Sequence, residues 1–129
     1  MTDSDLILVA IDARLKAYAP YSGFRVGAAL VTEDGRVFTG VNVENISFGL
    51  TMCAERVAMG CAIQSGASKP SRLAIAADSK NPVVPCGACR QVLAEFNPDL
   101  LIVSSTLTGS TQQFELNSLL PLSRQGILE

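Results

Sequence analysis

From Thr2 onward, apolar residues recur at helical spacing. Leu6, Ile7, Ala10, Ala13 and Ala17 share a stripe behind capping residues, which predicts a helix that Pro20 ends. The stretch FRVGAALVTEDGRVFTGVNV, residues 24–43, reads as two strands around Glu33-Asp34-Gly35-Arg36, with Asp34-Gly35 as the hairpin signal. ENISFGL reads as a loop. A second helix is expected from about Met52 to Ser65, stopped by Gly66. SRLAIAAD is a continuous apolar run, the pattern of a strand covered on both faces. NPVVP is a turn, CGACRQVLAEF a short helix, and Asn97-Pro98 its end. LLIVSST and TQQFEL are strands joined by Leu107-Thr108-Gly109-Ser110, a link too short for a parallel crossover, so this last pair should be antiparallel. SLLP is read as a final helical turn. The order α-β-β-α-β-α-β-β predicts an α/β fold, a mixed five-stranded sheet with helices on its faces. With 129 residues and neither repeat nor low-complexity linker, the chain is expected to form a single domain, 1–129.

The second helix departs from ordinary amphipathic patterning. From Val57 to Ile63, VAMGCAI has no polar side chain beyond the weakly polar Cys61. A helix apolar all round is expected to be buried all round. One side can pack on the sheet. The other is to be covered either by a second subunit, which Ala58, Gly60 and Ala62 would let approach closely, or by the N-terminal helix of the same chain.

Composition narrows the function. Hydrophobic content is 48% and charged content 17%, which marks a globular chain. Ten basic residues face twelve acidic ones, and a net charge of -2 gives no footprint for nucleic acid or an anionic membrane. The apolar runs are too short to span a bilayer. The acidic start MTDSDLILVA differs from a basic secretory leader, so a cytoplasmic protein is expected.

Histidine is absent, which removes Ser-His-Asp triads, Cys-His dyads and His-ligated metals. Four cysteines remain: Cys53, Cys61, Cys86 and Cys89. In a cytoplasmic chain they point to metal or redox work rather than disulfides. Cys86 and Cys89 form a C-x-x-C at a helix start, and Cys53 begins another helix. Helix starts favour thiolate, and two of them can converge on one ion. Cys61 lies eight positions beyond Cys53 on one helix, ~12 Å away. Zinc–sulfur bonds of roughly 2.3 Å cannot bring both sulfurs to one ion, so Cys61 is read as a small core residue. Three ligands and an open position for water are the pattern of a catalytic zinc. Glu55 suits a first helical turn on electrostatic grounds alone, but beside such a site it is also a candidate proton carrier. Zinc with three thiolates is formally -1, so compensation is expected from the helix starts, from Arg56 and more weakly from Arg90.

Cys53-Ala54-Glu55 followed by Pro85-Cys86-Gly87-Ala88-Cys89 resembles the cytidine deaminases in their short three-cysteine form. PYSGFRVGAAL, GVNVEN, CAERVA and PCGACRQVL match that family's blocks in order, over nearly the whole chain. The resemblance implies a three-layer α/β sandwich that hydrolyses cytidine or deoxycytidine to the uridine with release of ammonia, in pyrimidine salvage. It implies one zinc per chain held by Cys53, Cys86 and Cys89. Glu55 would take a proton from water, deliver it to ring N3, then help protonate the leaving amine. Asn42 and Glu44 would bind the ribose, Phe24 would pack on the base, and the backbone at Ala54 would contact it. The family's short form is a homotetramer. Two departures bear on substrate range: the family commonly has tyrosine at Phe48, and a phenylalanine where Arg124 follows Leu119-Leu120-Pro121. They point to a roomier pocket that accepts modified cytidines. The competing readings are a deaminase of a cytosine-nucleoside antibiotic of the blasticidin S type and, outside enzymes, a structural zinc or redox module.

Overall fold

The computed structural model describes residues 1–126. Helix α1 (Asp3–Arg14) opens on a reciprocal cap: Asp5 N donates to Thr2 Oγ1, and Thr2 N donates to Asp5 Oδ2. It ends six residues before Pro20 because the chain turns to pair elsewhere. Tyr18 N donates to Asn42 O and Glu44 N donates to Tyr18 O, at 3.0 and 2.9 Å. Strands β1 (Val26–Thr32) and β2 (Val37–Val41) form the hairpin, with Gly35 at φ +85° in its turn. A short 3-10 turn, Phe48–Leu50, interrupts the loop expected there. Helix α2 (Ala54–Gln64) follows with Cys53 as its N-cap, two residues later than the sequence pattern placed its start. Then come β3 (Pro70–Ala77), α3 (Gly87–Phe96), β4 (Leu101–Thr106), β5 (Thr111–Glu115) and a one-turn α4 (Leu116–Leu119).

The sheet order is β2-β1-β3-β4-β5. Among these five strands, β3 and β4 pair in parallel, while β1 with β2, β1 with β3 and β4 with β5 are antiparallel. The parallel pair needs a crossover, and α3 supplies it. The two faces carry separate cores. Leu6 and Ala10 of α1 pack with Ala29, Ala74, Ala76 and Val103 on one side. Ala58, Met59 and Ala62 of α2 and Leu93 of α3 pack with Leu30, Leu73, Ile75 and Ile102 on the other. β3 feeds both cores with alternate residues, which is why its sequence is apolar without a break.

Two glycines set how closely the helices approach. A Cβ at Gly27 would lie 2.0 Å from Ala10 O, and one at Gly40 would lie 2.2 Å from Ala54 O and 2.4 Å from Ala58 N. The backbones of α1 and α2 therefore rest directly on the β1–β2 hairpin, from opposite sides.

That arrangement corrects two expectations. α1 belongs to the other face of the sheet, so it does not cover the far side of α2. That side is open in the single chain: Gly60, Cys61 and Ile63 are exposed, Ile63 by 46%. Cys61 accordingly is an exposed residue and not part of the core.

Candidate metal centre and active site

The crossover places the starts of α2 and α3 at one end of the sheet. Cys53 and Cys86 are the two N-caps, and Cys89 lies one turn into α3. The three sulfurs lie within 4.8 Å of one another, with Cys53 Sγ and Cys86 Sγ 3.8 Å apart. Among the described residues no fourth His, Cys, Asp or Glu ligand atom joins them. Cys89 is buried, Cys53 partly buried and Cys86 exposed, so one side of the cluster faces solvent.

The charges show what such a cluster can hold. Hydrogen bonding from the Cys89 thiol, with Arg56 and Cys86 adding to it, pulls Cys53 down to about 5. The same contact, together with burial, pushes the Cys89 thiol well above its ordinary value. One thiolate thus suppresses ionisation of its neighbour, the state that a soft divalent cation relieves by binding all of them as thiolates. The donor set, its spacing and its missing fourth side chain fit zinc.

Arg56 Nη2 lies 3.6 Å from Cys53 Sγ and donates to Thr51 O at 3.2 Å, so its charge sits against the cluster. Arg90 does not reach the sulfurs. Its Nε donates to Pro85 O at 2.8 Å and its Nη1 to Leu119 O at 3.0 Å, tying the start of α3 to the C-terminal segment.

Glu55 is 4% exposed. Burial, with the Cys53 charge adding, pushes its carboxyl above the ordinary 4.5. Such a group holds a proton more readily than a surface glutamate and releases it again, as a proton carrier must. Ala54, between Cys53 and Glu55, is buried with its carbonyl over Gly40.

The remaining residues gather on a second unit. Asn42 Oδ1 accepts from Val26 N at 2.9 Å and Asn42 Nδ2 donates to Phe24 O at 2.8 Å. With 8% exposure it braces the loop that carries Phe24, keeping one amide hydrogen uncommitted. Glu44 Oε1 accepts from Tyr21 N at 3.0 Å and Ser22 N at 3.1 Å, and its Oε2 accepts from the Ser22 hydroxyl. That hydroxyl, followed by the two backbone donors, holds the carboxyl below its ordinary value. Ser22 had no role in the sequence reading. Its signal was turn chemistry, a serine before Gly23 and two residues before Phe24, whose N–H it accepts at 3.0 Å. Tyr21, Ser22, Glu44, Phe48 and Thr51 line a cleft of about 310 Å³. This unit is fixed to the cluster by a short bridge: Val43 and Met52 exchange both backbone hydrogen bonds at 2.9 Å, and Met52 directly precedes Cys53.

A mixed α/β sheet whose helix starts present three thiols and a buried carboxylate defines a metal-dependent hydrolase of small molecules. Residues 1–105 match the family model described as the cytidine and deoxycytidylate deaminase zinc-binding region, and the chain belongs to that family. The cytidine deaminase of Halalkalibacterium halodurans is 50% identical over 117 residues, covering 90% of this chain and 89% of the relative. That of Sporosarcina psychrophila is 45% identical over 117 residues, covering 90% and 86%. The crystal structure of the cytidine deaminase of Burkholderia pseudomallei superposes with a TM-score of 0.90 at 48% identity, covering 94% of this chain and 98% of that one. That of Mycobacterium tuberculosis gives 0.82 at 40%, covering 94% and 95%.

Proposed function

We propose that this chain is a zinc-dependent cytidine deaminase, converting cytidine and deoxycytidine with water to uridine and deoxyuridine plus ammonia. The observation that carries the reading is the union of three sulfurs within 4.8 Å and a buried glutamate two positions from one of them. Cys53, Cys86 and Cys89 would hold zinc, which would supply Lewis acidity to lower the proton affinity of water. Glu55 takes one proton from the attacking water and places it on N3 of the ring, while the oxygen bonds to C4. It then moves the second proton to the 4-amino group, which leaves as ammonia as the C4 carbonyl forms. Arg56 offsets part of the negative charge on Cys53. Phe24 packs on the base, the Ala54 backbone contacts it, and Asn42 and Glu44 bind the sugar.

Three further assignments belong to the same reading: pyrimidine salvage, a cytoplasmic location and a homotetramer. The uncovered side of α2 supports the last. The acidic net charge of -2 speaks against a polynucleotide substrate, and among the described residues no helix is long and apolar enough to cross a membrane. Phe48 is 80% exposed on the cleft that Glu44 lines, and it brings no hydroxyl there. Arg124 is exposed on the segment tied to α3 by Arg90 and by Gln91 Nε2, which donates to Ser123 O. A pocket widened at these positions would accept N4-substituted cytidines.

The test is a substrate panel of cytidine, deoxycytidine, N4-substituted cytidines and blasticidin S, run with a zinc count per chain. One zinc and loss of absorbance with cytidine are expected. Absence of metal, or turnover of blasticidin S alone, overturns the reading; strict rejection of N4-substituted cytidines overturns only the wider pocket.

A further inference from the structure

The Glu44 carboxylate is anchored at both oxygens although it lies at the surface. Two backbone N–H groups hold Oε1 and one hydroxyl holds Oε2. The hydroxyl comes from Ser22, twenty-two positions earlier in the chain. Its orientation is itself fixed, because Ser22 Oγ accepts from Phe24 N at 3.0 Å, which directs the hydroxyl proton toward Glu44. Gly23, at φ +68°, lets the chain turn tightly enough for one serine to serve both neighbours. Exposed hydrogen bonds of this kind add little to fold stability, since water offers each partner an equivalent bond. What they do is fix direction: with Oε1 and Oε2 both tied, the carboxylate is held against rotation about its last torsion, and it keeps one acceptor site, on Oε2, in a residue that lines the cleft.

We propose that Ser22 is a positioning residue for the sugar. It orients the Glu44 carboxylate to accept a ribose hydroxyl, and through the Phe24 amide it links that orientation to the segment carrying the base-packing ring. The inference rests on the function proposed above and adds to it a substrate requirement: selectivity for a sugar bearing a free hydroxyl depends on Ser22 as well as on Glu44. No proton moves to or from Ser22 in the reaction, so its effect falls on binding and not on the chemical step.

The experiment measures KM and kcat for cytidine, and the inhibition constant of 2′,3′-dideoxycytidine, in wild type, Ser22→Ala and Ser22→Thr. Loss of one hydrogen bond to a charged group should raise KM for cytidine about tenfold in Ser22→Ala, with kcat within about twofold. Binding of the dideoxy analogue, which keeps its 5′-hydroxyl but has none at 2′ or 3′ on the sugar ring for Glu44 to accept, should change less than about twofold. Ser22→Thr keeps the hydroxyl and should restore the wild-type KM. If Ser22→Ala does not accumulate as folded protein, Ser22→Cys, whose thiol is a weak donor, carries the same expectation. Equal losses for cytidine and the dideoxy analogue, or an unchanged KM for cytidine, overturn the proposal while leaving the deaminase reading intact. A wild-type protein that does not turn over cytidine removes the deaminase reading itself.

Discussion

Glu55 and Glu44 are both carboxylates, yet their surroundings drive them apart. Burial raises Glu55, whereas the Ser22 hydroxyl and two amides lower Glu44. The first is suited to carry a proton and the second to stay charged as an acceptor. Glu55→Gln keeps the shape and the thiols but removes the proton carrier, so zinc content should persist while kcat falls on the order of 10²–10⁴; a near-wild-type rate would falsify the role. For Glu44 the sign follows from its lowered value. It contributes stability above its ordinary 4.5 and loses it as pH falls through the lower folded value. Because these bonds are exposed the contribution is small, and thermal melts below pH 4.5 should drop only slightly less steeply in Glu44→Gln than in wild type. At this scale the sequence was legible where residue type alone limits the chemistry. Without histidine, thiols were left as the ligands suited to zinc, and 3.6-residue geometry set Cys61 aside. For Ser22 only the local turn chemistry was legible; its contact with Glu44, across twenty-two positions, was not.

At the scale of elements, the close backbone contacts matter most. Gly40 lies beneath the first turns of α2, and Gly27 beneath the C-terminal half of α1. An added methyl at either must displace a helix, a cost of about 1–3 kcal/mol for overpacking. The consequences should differ. Gly40→Ala pushes on Ala54, between Cys53 and Glu55, and should lower both melting temperature and zinc affinity. Gly27→Ala should lower melting temperature with zinc affinity unchanged, since α1 supplies nothing to the cluster; chelator competition separates the two cases. The strands and helices were readable from periodicity and turn residues, and the antiparallel closing pair from the short link Leu107–Ser110. Their ends were less so. α1 stops early because Tyr18 is claimed by the backbone on either side of Val43, and α2 starts late because Cys53 takes the extended N-cap conformation. Both boundaries are tertiary effects, which propensity does not contain.

The whole molecule leaves apolar side chains in water when alone. Ile46, Phe48, Leu50 and Met52 are exposed on the loop before α2, and Ile63 on its far side. The apolar pattern of Val57–Ile63 was readable in the sequence, but the exposure of its far side was not, because only the structure assigns α1 to the opposite face and leaves no cover among the described residues. A chain of 13.6 kDa should sediment at four times that mass, and Ile63→Lys should shift it toward smaller species. A wild-type protein that is only monomeric at micromolar concentration would remove the tetramer. Cys61→Ala should leave zinc content and turnover unchanged, since Cys61 stands apart from the thiol cluster.

Cys53 and Cys86 are separated by 33 positions, and each begins a different helix. An ion gripped by both joins the starts of two helices only in the folded chain, where the site exists, so its binding free energy adds to the free energy of folding. Chelation should therefore depress the melting temperature as well as abolish turnover, and the endurance of the folded chain becomes tied to metal supply.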